Sequence, residues 1–324
     1  MKTVSRREFL IGATASLMTS PAFAQLIGSK TVKIVVPFSA GGPTDFIARQ
    51  FAIPFAKELG MPVIIENRPG ASGNIGTQQV VDSEPDGMTL VHSTAAMQAV
   101  NPLMYPNAKF VPSRDLVPVG ITGALPNVLV VHPKSGIKTI DELIAKGKQP
   151  GARLTYATFG PGSSPHIYSA LLRKASGISA ESVPYKGSAH AITDMLAGHI
   201  DFMFDSMTTS VNYIKSGSLT GLAITSSQRS ELLPNVPTLK ESGLGGLDLN
   251  FWFALQAPVK TSPDVIAKLK KACDAAVQDP TYLDGMKARG VEKFYVPSNE
   301  IVSFVNNDTQ KWTQAAQAIG IKPE

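Results

Sequence analysis

A glycine pair separates an apolar run from a helical pattern at residues 37–46, PFSAGGPTDF. Gly41 and Gly42 free the backbone for positive φ and for close approach to a ligand. Pro43 suits the first turn of a helix, where its missing N–H costs nothing. The spacing therefore predicts a helix that begins directly after the two glycines, with its amino end open to a ligand.

Backbone donors at this helix start can bind an anion. The N–H groups of Thr44 and Asp45 have no acceptor within the helix, and they lie at the end that carries a partial positive charge. With the Ser39 hydroxyl beside Phe38, they predict a small anion site at the carboxyl end of a strand. The alternative is a capped turn that binds only water.

A second stretch repeats this pattern at residues 156–168, YATFGPGSSPHIY. Gly162 and a second glycine loosen the loop, Ser163 or Ser164 can cap a helix, and a proline fits its first turn. His166 follows in that turn, where it can donate to a ligand or bond a nearby carbonyl.

Two such loops, one in each half of the chain, could hold a carboxylate from both sides. Hydrogen bonds to an ionised group contribute about 1.5–3 kcal/mol each. Neither loop contains lysine or arginine, which avoids a buried unpaired charge in the empty state. Residues 185–187 and 204–206 also follow strand-like runs, and they either line the same cleft or form solvated loops.

Other motifs that carry chemistry are missing from the sequence. It has no phosphate loop of the type G-x-x-x-x-G-K-[ST], and GPGSSP lacks the third glycine of the dinucleotide fingerprint. The histidines form no metal-binding spacing. Ser163, His166 and Asp205 could be drawn as a hydrolase set, but no spacing selects them and G-x-S-x-G is absent. We expect no enzyme activity, no metal and no cofactor.

Strand-like runs alternate with helix-like segments along most of the chain. The runs are nearly continuous in apolar residues, which is typical of strands covered on both faces. They are VKIVVPF, PVIIENR, MTLVHST, NVLVVHP, ARLTYAT, ESVPY, IDFMFDS and LTGLAITS. The alternation predicts an α/β fold with parallel sheets and helices on both faces. Thr139 and Glu142 have capping-box spacing and predict a further helix start.

Length and composition fit about two domains of roughly 150 residues each. The chain has 324 residues, 43% hydrophobic and 17% charged, with a net charge of +5. It contains no basic run of the kind that binds nucleic acid. Cys273, the one cysteine, excludes an internal disulfide, and its apolar neighbours at helical spacing predict a buried side chain.

Residues 1–24 have the features of an export signal. Arg6 and Arg7 precede a short apolar stretch and an A-x-A pattern that ends at Ala24. We predict a twin-arginine-type signal peptide, cleaved near Ala24, and a periplasmic mature protein. Removal of this segment lowers the net charge from +5 to +3.

Longer motifs resemble the substrate-binding proteins of tripartite tricarboxylate transporters, the Bug-type receptors. They cover nearly the whole chain after the signal and include PFSAGGPTDFIAR, VIIENRPGASGNIG, PDGMTLVHST, NPLMY, LTYATFGPGSSPH, VPYKGSAHAITDMLAGHIDFMFD, GLAITSSQRSELLPNVPTLKESG and FWFALQAP. The resemblance implies a two-lobed α/β fold of the periplasmic-binding-protein type II class, each lobe a mostly parallel sheet with flanking helices, joined by crossing strands. We place lobe 1 at residues 25–125 and 228–324, and lobe 2 at residues 126–227.

The resemblance implies that the loop after the first strand and the matching loop of lobe 2 hold a ligand carboxylate. It adds a cleft-facing turn of lobe 1 and a variable contact position in lobe 2. The resulting ligand-binding residues are Phe38, Ser39, Gly41, Gly42, Thr44, Asp45, Ser93, Thr94, Gly162, Ser163, Ser164, His166 and Asp205.

The function implied is that of a monomeric extracytoplasmic receptor without enzyme activity. It would bind a small organic acid between its lobes and deliver it to integral membrane permease subunits. An exported enzyme that depends on a cofactor, or a sensory receptor not coupled to transport, remains as an alternative.

Overall fold

Five strands form the first sheet, in the order β2-β1-β3-β10-β4. The computed structural model describes residues 30–247, 249–291 and 293–323. The strands are β1 Val32–Val36, β2 Val63–Asn67, β3 Thr89–Thr94, β4 Leu116–Ala124 and β10 Trp252–Pro258. β1 is parallel to β2 and β3, whereas β10 is antiparallel to β3 and β4.

The second sheet has the order β7-β6-β8-β5-β9. Its strands are β5 Asn127–Val131, β6 Leu154–Thr158, β7 Ala180–Pro184, β8 Phe202–Ser206 and β9 Thr220–Ile224. β6 is parallel to β7 and β8, and β5 is antiparallel to β8 and β9. The predicted fold class is therefore confirmed: two α/β lobes, each with one strand opposed to the other four.

The opposed strand in each sheet follows from the path of the chain. β4 leaves the first sheet at the edge where its parallel strands end, so β5 enters the second sheet from that side and runs the opposite way. β10 returns to the first sheet after β9 by the same route. The crossings therefore lie at the carboxyl edges of both sets of parallel strands.

Twelve helices and three short 3₁₀ turns flank the sheets in the described residues. The helices are α1 Pro43–Leu59, α2 Asn74–Val81, α3 Ala95–Ala99, α4 Asn101–Met104, α5 Pro112–Asp115, α6 Ile140–Gly147, α7 Ser164–Ser176, α8 Ser188–Ala197, α9 Met207–Lys215, α10 Pro263–Ala276, α11 Pro280–Lys287 and α12 Ile301–Ala318. The predicted start of α6 is confirmed, because the Thr139 Oγ1 accepts the Glu142 N–H (3.2 Å).

Side chains at helical spacing attach α1 to the first sheet. Ile47, Phe51 and Phe55 are fully buried, and the rings of Phe51 and Phe55 stack at a centroid distance of 4.8 Å. Burial of such a side chain contributes about 1.5–3 kcal/mol, so these residues fix the helix that begins at the first glycine pair. Cys273 on α10 is buried as predicted.

The segment between β9 and β10 runs beside the second sheet before it returns. Ile224 forms a parallel bridge with Thr238, and the Leu239 N–H donates to the Ile224 carbonyl (2.8 Å). Thr238 and Leu239 fall in the range predicted for lobe 1 although they contact β9 of the second sheet, and the lobe boundaries stay a prediction. The predicted signal peptide lies outside the described residues.

Candidate functional site

Two loops join the end of a parallel strand to the start of a helix. The first loop, residues 37–42, connects β1 to α1, and the second loop, residues 159–163, connects β6 to α7. Both lie at the sheet edges where the chain crosses between the lobes. In open α/β sheets, ligands bind outside these carboxyl ends of the strands.

Asp45 ties the first loop to α1. Its Oδ2 accepts the N–H of Gly41 (2.9 Å) and the Nε–H of Arg49 (3.0 Å). The N–H of Gly41, a predicted ligand-binding residue, is therefore engaged within the protein. Gly41 has the expected positive φ of 85°, whereas Gly42 has φ −79°, so the expected positive φ at Gly42 was wrong.

Arg49 and Asn67 complete this network, and neither was predicted from the sequence. Asn67 donates through Nδ2 to Asp45 Oδ1 (2.8 Å) and to the Phe38 carbonyl (3.1 Å), and its Oδ1 accepts from Arg49 Nη2 (2.9 Å). The i, i+4 spacing of Asp45 and Arg49 is a local signal for their ion pair. Asn67 gave no local signal, because it is distant in the chain and reaches the loop only through β1–β2 pairing.

The Asp45 carboxylate is an internal anion at the first helix start. Burial alone would raise its pKa, but hydrogen bonds from Arg49, Gly41 and Asn67 hold the pKa of Asp45 below its ordinary value. The side chain is thus ionised at neutral pH. The Arg49 guanidinium, one turn further along α1, balances this charge. The first loop contains no lysine or arginine of its own, but a cation from the helix lies beside it.

Free backbone donors remain at both helix starts. The N–H groups of Thr44 and Asp45 on α1 have no acceptor within the described part of the chain. The same is true of Ser164 and His166 on α7. These first-turn groups lie outside the helical hydrogen-bond ladder, so each lobe presents two donors, as the sequence predicted for Thr44 and Asp45.

Ser163 braces the second loop. Its Oγ donates to the Gly160 carbonyl (2.7 Å) and accepts the Phe159 N–H (3.2 Å). Ser163 occupies the N-cap position of α7, but its side chain makes no capping hydrogen bond. A cap from Ser163 or Ser164 was expected; the Ser163 side chain instead closes a turn within the loop, and Ser164 is the first residue of α7.

His166 acts as an acceptor in the second loop. Its Nδ1 accepts the Gly162 N–H (3.2 Å), so neither ring interaction expected from the sequence describes this contact. The neutral tautomer that fits this bond carries its hydrogen on Nε2. Burial, with a smaller effect from Arg173, lowers the pKa of His166.

Ser93 and Thr94 use their hydroxyls inside the fold. Ser93 Oγ donates to the Ala254 carbonyl of β10 (3.3 Å), and Thr94 Oγ1 accepts the Met97 N–H (3.3 Å) and caps α3. Both residues are buried. Their role as ligand contacts stays a prediction.

Asp205 lies near the end of β8 and is fully buried. Its Oδ2 accepts the Ser210 Oγ–H (2.7 Å), while Oδ1 has no hydrogen-bond partner among the described residues. Burial raises the pKa of Asp205 to about 6, against the opposing effect of its hydroxyl neighbours. Its carboxyl group is covered by protein in this structure.

Helices α3 and α4 bring the surroundings of the two loops together. Gly73 lies between Pro37 of the first loop and Met97 of α3. A β-carbon built on Gly73 would lie 3.3 Å from Pro37 and 3.1 Å from Met97. At the other end, Gly162 of the second loop lies against Met104 of α4. The loops from the two sheets thus approach one helical segment of lobe 1.

A cavity of about 580 Å³ lies in another part of the molecule. It is lined by the end of β4, residues 227–232, α11 and the chain that follows α11. None of the ligand-binding residues predicted from the sequence is among its described lining.

The described residues contain no group of three His, Cys, Asp or Glu side chains that could hold a metal ion. Across the same part of the chain, every helix is too short or too polar to cross a membrane.

Two α/β lobes, two crossings and paired strand–loop–helix turns at the facing edges define a two-lobed solute-binding protein. This chain belongs to the family of tripartite tricarboxylate transporter receptors. The TctC model, described as "Tripartite tricarboxylate transporter family receptor", matches residues 47–321. The family resemblance predicted from the motifs is confirmed.

Individual relatives agree along nearly their full length. BugT of Bordetella pertussis is 34% identical over 311 residues, which cover 96% of this chain and 95% of that protein. The solved structure of the periplasmic binding protein BugD is 32% identical with a TM-score of 0.79, covering 92% of this chain and 100% of BugD. MatC from Rhodopseudomonas palustris with bound malate is 28% identical with a TM-score of 0.76, covering 88% and 98%.

Proposed function

We propose that this protein is an extracytoplasmic receptor that binds a small organic acid between its lobes. The observation that carries the proposal is the pair of helix starts with free N–H groups at Thr44 and Asp45, and at Ser164 and His166. Hydrogen bonds from such donors to an ionised carboxylate contribute about 1.5–3 kcal/mol each. The helix ends add a favourable potential without a buried cation of their own.

The comparisons support an organic acid as the ligand. MatC was solved with bound malate, and the matching family consists of transporter receptors. Both findings also favour a binding protein over an enzyme. The proposed contacts come from the first and second loops and their helix starts, with Ser93, Thr94 and Asp205 as flanking positions.

Delivery and location complete the proposal. Residues 1–24 would direct export, and the mature protein would act in the periplasm as a monomer. Lobe 1 would comprise residues 25–125 and 228–324, and lobe 2 residues 126–227. The receptor would pass its ligand to the membrane subunits of a tripartite tricarboxylate transporter, consistent with its family.

A thermal-shift screen tests the ligand class. Mono-, di- and tricarboxylates, malate among them, are compared with neutral sugars of similar size. A ligand at 100 times its dissociation constant stabilises the folded state by about 2.7 kcal/mol, so a true ligand gives a clear rise in Tm. A rise with sugars and none with any acid would refute the proposal.

Gly42→Val tests the position of the site. Gly42 has an extended backbone, and a β-carbon built there meets only the Ser39 carbonyl, at 3.6 Å. The fold therefore accommodates a side chain that would obstruct a ligand at the first loop. We expect unchanged Tm without ligand and weaker acid binding, with Ala145→Val on the exposed face of α6 as the control.

A further inference from the structure

A glycine of each lobe lies against a methionine of the other lobe. Gly162 of the second loop has φ 72°, and a β-carbon built on it would lie 2.5 Å from Met104 Sδ on α4. Gly290, just after α11, also has φ 72°, and a β-carbon there would lie 2.5 Å from Met207 Cγ on α9. The helices α4 and α11 flank the first sheet, whereas the second loop and α9 flank the second.

Glycine is what permits both contacts. A side chain at these φ values is strained, and its β-carbon would collide with the methionine of the opposite lobe. Met104 is 1% exposed and Met207 is 0% exposed. The unbranched, polarisable methionine side chain adapts to irregular gaps such as the one between two lobes.

The two contacts have different surroundings. The Met207 N–H donates to the Pro126 carbonyl (3.0 Å), in the crossing between β4 and β5, so the Met207–Gly290 contact lies beside the hinge. Gly162 belongs to the second loop, where its own N–H is held by His166 Nδ1. Rotation about the crossings displaces atoms least beside the hinge, so it should disturb the Met207–Gly290 contact little, and the Met104–Gly162 contact is the candidate for one that depends on lobe position.

We propose that Met104 is a positioning residue for the second loop. Its contact with Gly162, reinforced by Val100 at 3.0 Å from the same built β-carbon, forms when the lobes adopt the arrangement seen here, which we take as the ligand-binding one. The contact then holds the Ser164 and His166 amides where they meet the ligand. This inference rests on the proposed function, because it assigns the second loop to the ligand.

The effect on affinity depends on the fraction of the protein that is in the closed arrangement. A ligand that binds only the closed arrangement has an apparent Kd equal to the intrinsic Kd divided by the closed fraction. Met104 is not itself one of the proposed ligand contacts, so loss of the Met104–Gly162 contact acts on affinity by lowering that fraction. A threefold fall in the closed population should raise the apparent Kd about threefold.

The test measures the distance between the lobes without ligand. Spin labels are attached to Ile53→Cys on α1, a position 70% exposed, and to Ala145→Cys on the exposed face of α6. The native Cys273 is buried and should not label. Double electron–electron resonance then gives the distance distribution of the protein with native Met104, Met104→Ala and the conservative Met104→Leu.

We expect Met104→Ala to shift the population to longer distances and Met104→Leu to restore most of the native distribution. Gly162→Ala, which keeps the core volume of lobe 1, should shift it in the same direction. The same longer population would appear in Met207→Ala to a smaller extent. Identical distributions in the native protein, Met104→Ala and Gly162→Ala would overturn the proposal.

Malate titrations separate this inference from the proposed function. If malate binds, Met104→Ala should weaken its affinity by the factor that the distance data give for the closed population. Equal malate affinity despite a shifted distribution would refute the role in ligand positioning. If no acid binds the native protein, the proposed function fails, whereas a distance shift in Met104→Ala would still support the interlobe contact.

Discussion

Asp45 and His166 occupy the third position of their helices, and each accepts the N–H of the glycine four residues before it. The distances are 2.9 Å from Gly41 to Asp45 and 3.2 Å from Gly162 to His166. The first acceptor is an ionised carboxylate and the second is an imidazole whose pKa is lowered. Each loop is thus held by the same kind of hydrogen bond, made to a charged carboxylate in lobe 1 and to a neutral imidazole in lobe 2.

Asp45→Asn should lower the free energy of unfolding by about 1.5–3 kcal/mol, since a hydrogen bond to a charged group contributes that much. The amide retains one acceptor atom, so it cannot keep all the bonds from Gly41, Arg49 and Asn67, and Arg49 loses its counter-charge. Urea unfolding at pH 7 measures the effect. Asp82→Asn, at an exposed acid bonded to Gln78, is the control and should be near neutral. Equal stability of Asp45→Asn and the native protein would contradict the network.

His166→Ala should weaken acid binding, whereas His166→Asn should retain most of it. Asparagine at the third helical position offers an oxygen to the Gly162 N–H, as Asp45 does for Gly41, but alanine offers none. Isothermal titration at pH 7.5 compares the variants, with His190→Ala on the exposed face of α8 as the control. Equal losses in both His166 variants would show that the Gly162 hydrogen bond is not what matters.

Low pH should break the hydrogen bond from the Gly162 N–H to His166 Nδ1. The pKa of His166 is lowered in the folded state, so between that value and 6.5 the unfolded chain binds more protons. The contribution of His166 to stability is therefore full above 6.5 and declines as pH falls toward the folded-state pKa. An NMR titration of the His166 ring should give a midpoint below 6.5. A midpoint at or above 6.5 would refute the neutral acceptor.

His92 should make the protein acid-sensitive. It is fully buried on β3, its Nε2 lies 2.7 Å from Thr122 Oγ1, and burial lowers its pKa to about 3. The unfolded chain binds the proton first, so stability declines as pH falls from 6.5 toward 3, by at most about 5 kcal/mol. His92→Gln should flatten this decline in urea unfolding between pH 7 and pH 4. An unchanged slope would contradict the buried neutral state, and His190→Gln serves as the control.

Asp205 should lower the stability of the protein as pH rises, the opposite of His92. Its pKa is raised to about 6 from 3.8, so the folded state holds the proton over that interval and stability falls as pH rises through it. The loss above pH 6 amounts to about 3 kcal/mol. Asp205→Asn keeps an acceptor for Ser210 and should be more stable than the native protein at pH 7.5, with the difference nearly gone at pH 4. A variant less stable at pH 7.5 would refute the prediction.

Local patterns predicted the parts of the site that depend on local geometry. Glycine, proline and apolar spacing located the starts of α1 and α7 and the free amides of Thr44 and Asp45. Eight of the ten strands also followed from apolar runs. These features are decided within one turn or one strand, so neighbouring residues suffice to specify them.

Features that depend on residues distant in the chain were not predicted from the sequence. Asn67 reaches the first loop from another strand, and the bonds from the Gly41 and Gly162 amides to Asp45 and His166 were not predicted. The strands β4 and β10 were missed as well. The β4 sequence is interrupted by proline and glycine, and β10 lies where the chain returns from the second sheet to the first. Their positions depend on the sheets they complete.

The place of β10 in the first sheet bears on the order of folding during synthesis. Residues 127–239 include every strand of the second sheet and the segment bridged to it, so that half can close soon after it leaves the ribosome. The first sheet needs Trp252–Pro258 between β3 and β4. Until those residues emerge, β3 and β4 keep unpaired edges that invite aggregation. The earliest-made half of this receptor is therefore the last to be completed, and nascent chains that stop short of residue 258 should be the ones that chaperones must protect.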